Sequence, residues 1–292
     1  MKAEPRADNR MPEWLRRPLR CGPVLREVEN TLSSERLNTV CDGARCPNRS
    51  ECYSAGTATF MILGDVCTRD CGFCAVSGGM PAPPRRDEPD AVARAARKMG
   101  ITHVVVTSVT RDDLPDGGAS HFARTVEALR SGVPGATVEV LVPDFVGDQG
   151  AIDAVIASGP DVFNHNVETV EGLYPLARPQ ADYRRSMAVL ARAAQAGLAT
   201  KSGFMVGLGE DCAEVRRLLA DLGEAGCSLV TAGQYLRPAS GNLPVARYWE
   251  PGEFEGLEQL ALRMGFEGVS AGPFVRSSYH AADMLGAGPG SE

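Results

Sequence analysis

The sequence has little that suits a membrane, a secretory route or a nucleic acid. No apolar run approaches the length of a bilayer-spanning helix. The first twenty residues lack the apolar stretch of a secretory signal. Glu4, Asp8, Glu13 and the absence of serine there count against a transit peptide. Thirty Lys and Arg against thirty-seven Asp and Glu give a formal charge of −7. Broad binding to a phosphate backbone needs the opposite balance, although docking to one particular protein does not. Of the few histidines, His103, His121 and His280 make no ligand spacing. The glycines of 207–210 fall short of a nucleotide fingerprint and read as a tight turn that lets the backbone approach a cofactor. The expectation is a soluble, cytoplasmic protein with no membrane and no nucleic-acid partner.

Cysteine is plentiful, and it is badly placed for a disulfide framework. Six of the nine cysteines fall between Cys41 and Cys74, and the total is odd. In a reducing compartment such clustering points to metal binding. Cys212 and Cys227 bracket a helix and read as packed thiols. Cys21 is left without a role.

Hydrophobic residues make up 43% of the 292, enough for a sizeable core. Residues 1–40 read as an irregular arm. Beyond them β-branched runs alternate with helical stretches. Strands are expected at 57–63, 102–108, 136–142, 161–166, 199–205, 228–234 and 267–271. Val92, Ala95, Ala96 and Met99 share one helix face between Pro89 and Gly100. Val215, Leu218, Leu219 and Leu222 share another, with Asp211 and Glu214 as a capping box and Gly226 as the stop. Repeated strand–helix units imply a parallel sheet with right-handed crossovers. The expected fold is an α/β, partial TIM-like barrel of about six parallel strands, with the chemistry at the C-terminal strand ends. Three parts are expected: an N-terminal extension over 1–55, the barrel over 56–272 and a C-terminal extension over 273–292. The glycine-rich end, 286–292, reads as disordered.

Cys67, Cys71 and Cys74 form a triplet in the loop after the first barrel strand. Thiolates are the usual ligands of iron–sulfur clusters, and three of them leave one iron of a four-iron cube open. An open coordination position is a reactive one, as it is in zinc enzymes. The bland alternative is a zinc loop or buried thiols, but a zinc ribbon wants two-residue gaps and a fourth ligand. Cys41, Cys46 and Cys52 form a second triplet, again one ligand short. The triplets either share ligands or hold separate clusters. The strand between them favours separate ones.

The Cys67–Cys74 spacing resembles the signature of the radical S-adenosylmethionine superfamily. There the open iron chelates S-adenosylmethionine, whose reductive cleavage yields a 5′-deoxyadenosyl radical. Phe73 matches the aromatic position beside the adenine. The pair of triplets, with 46–52, 56–64, 107–114, 163–169, 200–210 and 276–279, resembles the lipoyl synthase family from about residue 40 to 282. Tyr53, where many members carry tryptophan, is a departure that keeps an aromatic.

The resemblance implies two 4Fe–4S clusters and S-adenosylmethionine as cofactors. It makes Ser278 the fourth ligand of the Cys41, Cys46 and Cys52 cluster, with Ser277 as the fallback. An alkoxide is harder than a thiolate and suits the cluster less well, so an iron held by it is easier to release. The reaction implied is insertion of sulfur at C6 and C8 of an octanoyl chain on a carrier-domain lysine, or on a peptide from such a domain. Two S-adenosylmethionine molecules are consumed, and the first-triplet cluster supplies the sulfur. An electron donor such as a flavodoxin or ferredoxin and an iron–sulfur carrier protein are implied partners. Asn166 and Glu168 match a stretch that meets the ribose in biotin synthase, a related sulfur inserter. His165, pointing the other way, reads as packed. Thr107 and Ser108 are expected near the methionyl part and Arg178 near a carboxylate. Arg111, Asp112 and Asp113 read either as substrate or cofactor contacts or as a solvated charge cluster. Lys201 reads as a structural or substrate-contacting cation. The alternatives are a biotin synthase-like sulfur inserter and a non-catalytic iron–sulfur or zinc protein.

Overall fold

The computed structural model describes residues 11–285. Helix α1 (Pro23–Ser34) leads to strand β1 (Asn38–Thr39), and short helices α2 (Val40–Gly43) and α3 (Arg49–Ser54) precede β2 (Phe60–Ile62). A small parallel ribbon of β3 (Val66–Cys67) and β4 (Ser77–Gly78) brackets the second triplet. Helices and strands then alternate as α4 (Glu88–Lys98), β5 (His103–Ser108), α5 (Ala119–Gly132), β6 (Thr137–Leu141), α6 (Gln149–Ala157) and β7 (Val162–Asn164). They continue as α7 (Tyr174–Ala177), α8 (Tyr183–Gln195), β8 (Ala199–Val206), α9 (Cys212–Glu224), β9 (Leu229–Gln234), α10 (Pro251–Arg263), β10 (Gly268–Gly272) and α11 (Ala281–Leu285).

Strands β2, β5, β6, β7, β8, β9 and β10 pair in that order, all parallel, and β1 adds an antiparallel edge. The result is a partial TIM-like barrel with seven parallel strands, open between β10 and β1. Helix α11 packs against both β10 and β5. Among the described residues no helix is long and apolar enough to cross a membrane.

Alternation along the strands decides what each face becomes. Val104, Val106, Val138, Val140 and Phe163 are fully buried against Val92, Ala95, Phe122, Val126 and Val155 of the surrounding helices. Each such side chain contributes roughly 1.5–3 kcal/mol. The C-terminal half repeats this with Leu218, Leu219 and Leu222 of α9 on Val230 and Ala232 of β9. The opposite positions, such as Thr107, Gly203, Thr231 and Gly233, are small or polar and line a cavity. The barrel interior is therefore a site and the outer face is the core.

The expected caps form. Asp211 accepts from Glu214 N at 2.7 Å, and the Glu214 side chain accepts from Asp211 N at 2.9 Å. Gly226 ends its turn at φ +78°. The arm is a correction. Residues 23–34 are helical, with Pro23 in the first turn and Val28 and Leu32 buried. The spacing of Leu25, Val28 and Leu32 is the signal that shows it. The 286–292 end lies outside the described residues.

Inside the barrel, Lys201 Nζ lies 3.1 Å from both Glu139 carboxylate oxygens, and both side chains are buried. Asn164 Nδ2 donates to Glu139 at 2.8 Å, and His103 Nε2 stands 3.4 Å away. Burial is the largest influence on Glu139 and pushes its pKa up. The Lys201 charge, with His103 and Asn164, more than offsets it and holds the carboxyl below its usual range. Lys201 is thus a structural cation. Lys201→Met strands a buried carboxylate and is expected to cost ~3–5 kcal/mol, read as a lower denaturant midpoint. An unchanged midpoint contradicts the pairing.

Candidate active site

The first triplet is built on two short helices. Thr39 caps α2, its Oγ1 accepting from Asp42 N at 3.2 Å, and Cys41 follows in the first turn. Cys46 N donates to Cys41 O at 3.0 Å, which folds the segment back on itself, and α3 brings Cys52 round. Tyr53 is fully buried, and its hydroxyl donates to Asp42 Oδ2 at 2.6 Å while lying 2.8 Å from Thr39 Oγ1. Tyr53 thus ties α3 to the α2 cap.

The second triplet is anchored from outside the loop. Arg69, between Cys67 and Cys71, is almost fully buried. Its guanidinium meets Asp112 at 2.7 and 3.0 Å and Asp144 at 2.6 Å. Gly72 N donates to Ala177 O at 2.9 Å, Leu243 N to Gly72 O at 2.8 Å and Asn242 Nδ2 to Cys74 O at 2.7 Å. Upstream, Leu63 adopts a left-handed φ of +69°. Its N–H donates to Glu88 at 2.8 Å and its carbonyl accepts from Arg111 at 3.0 Å. Arg111 is itself held by both Asp113 oxygens at 2.8 Å. The 111–113 cluster is solvated only in part: Asp112 and Asp113 are exposed, while Arg111 is buried. Arg111 fixes the turn out of β2, and Asp112 fixes Arg69.

All thirteen expected site residues line one cavity of about 980 Å³: the six triplet cysteines, Phe73, Thr107, Ser108, Asn166, Glu168, Arg178 and Ser278. Glu168 holds a left-handed φ of +67°, a strained conformation for a non-glycine residue. Its N–H donates to Gly203 O at 3.0 Å, and its carbonyl accepts from Met205 N at 2.9 Å. Asn166 Nδ2 donates to Glu168 Oε1 at 3.1 Å. Burial pushes the Glu168 pKa up, opposed by Arg178. Arg178 Nη1 donates to the carbonyls of Asn166 and Val167 at 3.0 and 3.1 Å, while Nε is buried without a partner. Ser108 Oγ is buried without a partner as well. His165 is packed, with Nδ1 2.8 Å from Val142 O, and burial lowers its pKa to about 4.

The C-terminal segment closes the cavity because two strands carry glycine where it crosses. A Cβ on Gly233 collides with Val275 O, and one on Gly203 with Ser277 Oγ. Ser277 Oγ donates to Asn166 Oδ1 at 2.6 Å. The Ser278 hydroxyl makes no side-chain hydrogen bond among the described residues.

The thiols fit iron–sulfur ligation. Arg69 N and Thr110 N donate to Cys67 Sγ at 3.4 and 3.3 Å, and Val76 N to Cys74 Sγ at 3.4 Å, as sulfurs that bear negative charge require. Burial pushes the Cys41 thiol up to about 11 and Cys52 and Cys74 to about 12, so ligation must displace their protons. Among the described residues no three His, Cys, Asp or Glu side chains converge as a single metal ion needs. A cubane takes its ligands at separate corners.

Two further expectations are corrected. Cys227 is packed, but Cys212, at the first position of α9, is exposed. The 207–210 turn is tight, yet its backbone approaches Gln234 and Arg247 rather than the cavity. Glu210 collects the N–H groups of Gly207, Leu208 and Gly209. Arg69, Asp144 and Glu88 went unread because their partners lie dozens of residues away.

The barrel and its cysteine-lined cavity are those of a radical S-adenosylmethionine domain. The family model described as the Radical SAM superfamily matches residues 61–222. Streptococcus suis SuiB bound to S-adenosylmethionine shares the fold, with a TM-score of 0.57 at 10% identity over 77% of this chain and 54% of that one. The chain is 55% identical to a lipoyl synthase of Rubrobacter xylanophilus, covering 94% of this chain and 86% of that protein. It is 51% identical to one of Nitratidesulfovibrio vulgaris, covering 95% and 93%. The chain belongs to the lipoyl synthase family.

Burial opposes ionisation of Asp144 most strongly, but the Arg69 hydrogen bond and charge prevail and hold its pKa at about 2. A depressed carboxyl stabilises the fold above its unfolded value and loses that contribution as pH falls through its folded one. Stability is therefore expected to drop between about pH 4 and pH 2, by more in the parent than in Asp144→Asn. Thermal melts across that window check this, and identical slopes contradict it.

Proposed function

We infer that the chain breaks two unactivated C–H bonds of a protein-bound octanoyl group and inserts sulfur at C6 and C8, giving the lipoyl group. The observation that carries this reading is that both cysteine triplets and Ser278 open onto one cavity. Radical generation and sulfur delivery can then act on one substrate carbon. When bound, one cluster supplies reductive cleavage of S-adenosylmethionine and the other supplies sulfur.

In this reading Cys67, Cys71 and Cys74 would hold the first of these clusters and leave room beside it for S-adenosylmethionine. Phe73 lies against the adenine, and Asn166 and Glu168 hold the ribose. Thr107 and Ser108 meet the methionyl part. Arg178 meets a carboxylate, which the unpartnered Nε in the cavity wall supports. Cys41, Cys46, Cys52 and Ser278 hold the sulfur-donating cluster. Ser278 is favoured over Ser277 because the Ser277 hydroxyl is already committed to Asn166. Val105, Leu141 and Met205 line the wall with apolar surface that keeps water from a carbon radical. The substrate is an octanoyl chain on a lipoyl-carrier domain. A flavodoxin or ferredoxin as electron donor, an iron–sulfur carrier that rebuilds the consumed cluster and a cytoplasmic location complete the proposal.

Anaerobic turnover with an octanoylated peptide tests the assignment. Replacing Cys67, Cys71 and Cys74 by alanine is expected to abolish 5′-deoxyadenosine formation. Replacing Cys41, Cys46 and Cys52 is expected to leave that cleavage and abolish sulfur insertion, read by mass spectrometry. Cleavage that survives the first exchange, or lipoyl product that survives the second, sinks the reading.

A further inference from the structure

One side chain from the N-terminal arm touches both halves of the first-triplet site. The Arg17 guanidinium stacks on the Phe274 ring, 3.9 Å from its centroid, and lies 5.7 Å from that of Tyr279. It pairs with Glu51 and donates to Asn48 Oδ1 at 3.2 Å. Asn48 and Glu51 sit between Cys46 and Cys52, while Phe274 and Tyr279 flank the segment that carries Ser277 and Ser278. The two sides are also joined directly. Asn48 Nδ2 donates to Phe274 O at 2.7 Å, and Tyr279 OH donates to Glu51 Oε1 at 3.2 Å.

We propose that Arg17 is a positioning residue, a clamp that holds the serine-bearing segment against the Cys46–Cys52 loop and so keeps Ser278 on the first-triplet cluster. The inference rests on the sulfur-donor reading above. Arginine suits the task because one terminal nitrogen, Nη1, reaches both the Glu51 carboxylate and the Asn48 amide oxygen while the guanidinium face lies on an aromatic ring. Lysine keeps the charge and loses the planar face that stacks on Phe274. The bonds of Asn48 to Phe274 O, of Tyr279 to Glu51 and of Ser277 to Asn166 hold the segment as well, and Arg17 adds to them a tie from a third part of the chain. Releasing the clamp leaves Cys67, Cys71 and Cys74 and their anchors untouched. It frees the one oxygen ligand in the site, so sulfur delivery suffers more than cleavage of S-adenosylmethionine. General destabilisation lowers the two together.

Three readouts test this. In the chain without clusters, amide hydrogen exchange over 274–279 is expected to quicken in Arg17→Ala and to be only partly restored in Arg17→Lys. In chains that also carry alanine at Cys67, Cys71 and Cys74, the parent is expected to retain four irons. Arg17→Ala is expected to fall towards three and to show a three-iron paramagnetic signal. In the holoenzyme, lipoyl formed per 5′-deoxyadenosine is expected to drop about tenfold, the usual scale for losing a group that orients a metal ligand. Unchanged exchange, a full complement of four irons or a parental product ratio in Arg17→Ala overturns the clamp. Should Arg17→Ala fail to fold, Arg17→Lys carries the same test with a smaller shift. A parent chain that forms no lipoyl product sinks the sulfur-donor reading instead.

Discussion

Three thiolates cannot close a four-iron cube, and the rest of the proposed chemistry follows from that shortfall. In the proposed reading the open corner at one triplet would take a sulfonium cofactor, and that at the other an oxygen that binds iron less firmly than sulfur does. The protein's task is to hold each set of three while admitting no fourth thiolate. The fold accomplishes this with separate supports. Two short helices, the first capped by Thr39, and Tyr53 carry Cys41, Cys46 and Cys52. A turn locked by Glu88, Arg111 and Arg69 carries Cys67, Cys71 and Cys74.

The barrel then brings the two sets onto one cavity. Its outer face is filled with valine, phenylalanine and leucine packed under helices, so the interior is released from being a core. The inward positions are threonine, serine, glycine and asparagine at the mouth, with a neutralised Glu139–Lys201 pair deeper inside. Glycine at 203 and 233 lets the C-terminal segment cross the strands at close range and bring its serines to the cavity that the first triplet lines.

Much of this was legible in the residues. The β-branched runs at 102–108 and 136–142 became strands because such side chains pack well on a pleated surface. Asp211 and Glu214 became the capping box they spelled, because a cap is local in sequence. The thirteen site residues could be named because their spacing matches a family, and they share a cavity. What escaped was non-local. Arg69 reaches Asp112 and Asp144 across 43 and 75 residues, and Glu139 reaches Lys201 across 62. No periodicity pairs such charges. Cys212 shares the spacing of Val215 and Leu219 on the buried face of α9, yet residues 211–213 at the start of the helix all face water, so the spacing alone does not bury its thiol.

Mössbauer spectroscopy of anaerobic protein rebuilt with iron-57 and sulfide puts the shortfall itself to the test. About eight irons per chain in two cubanes are expected, and S-adenosylmethionine should change the parameters of a single iron, at the Cys67–Cys74 cluster. A spectrum indifferent to S-adenosylmethionine, or a protein that takes up zinc in place of cubanes, contradicts the account.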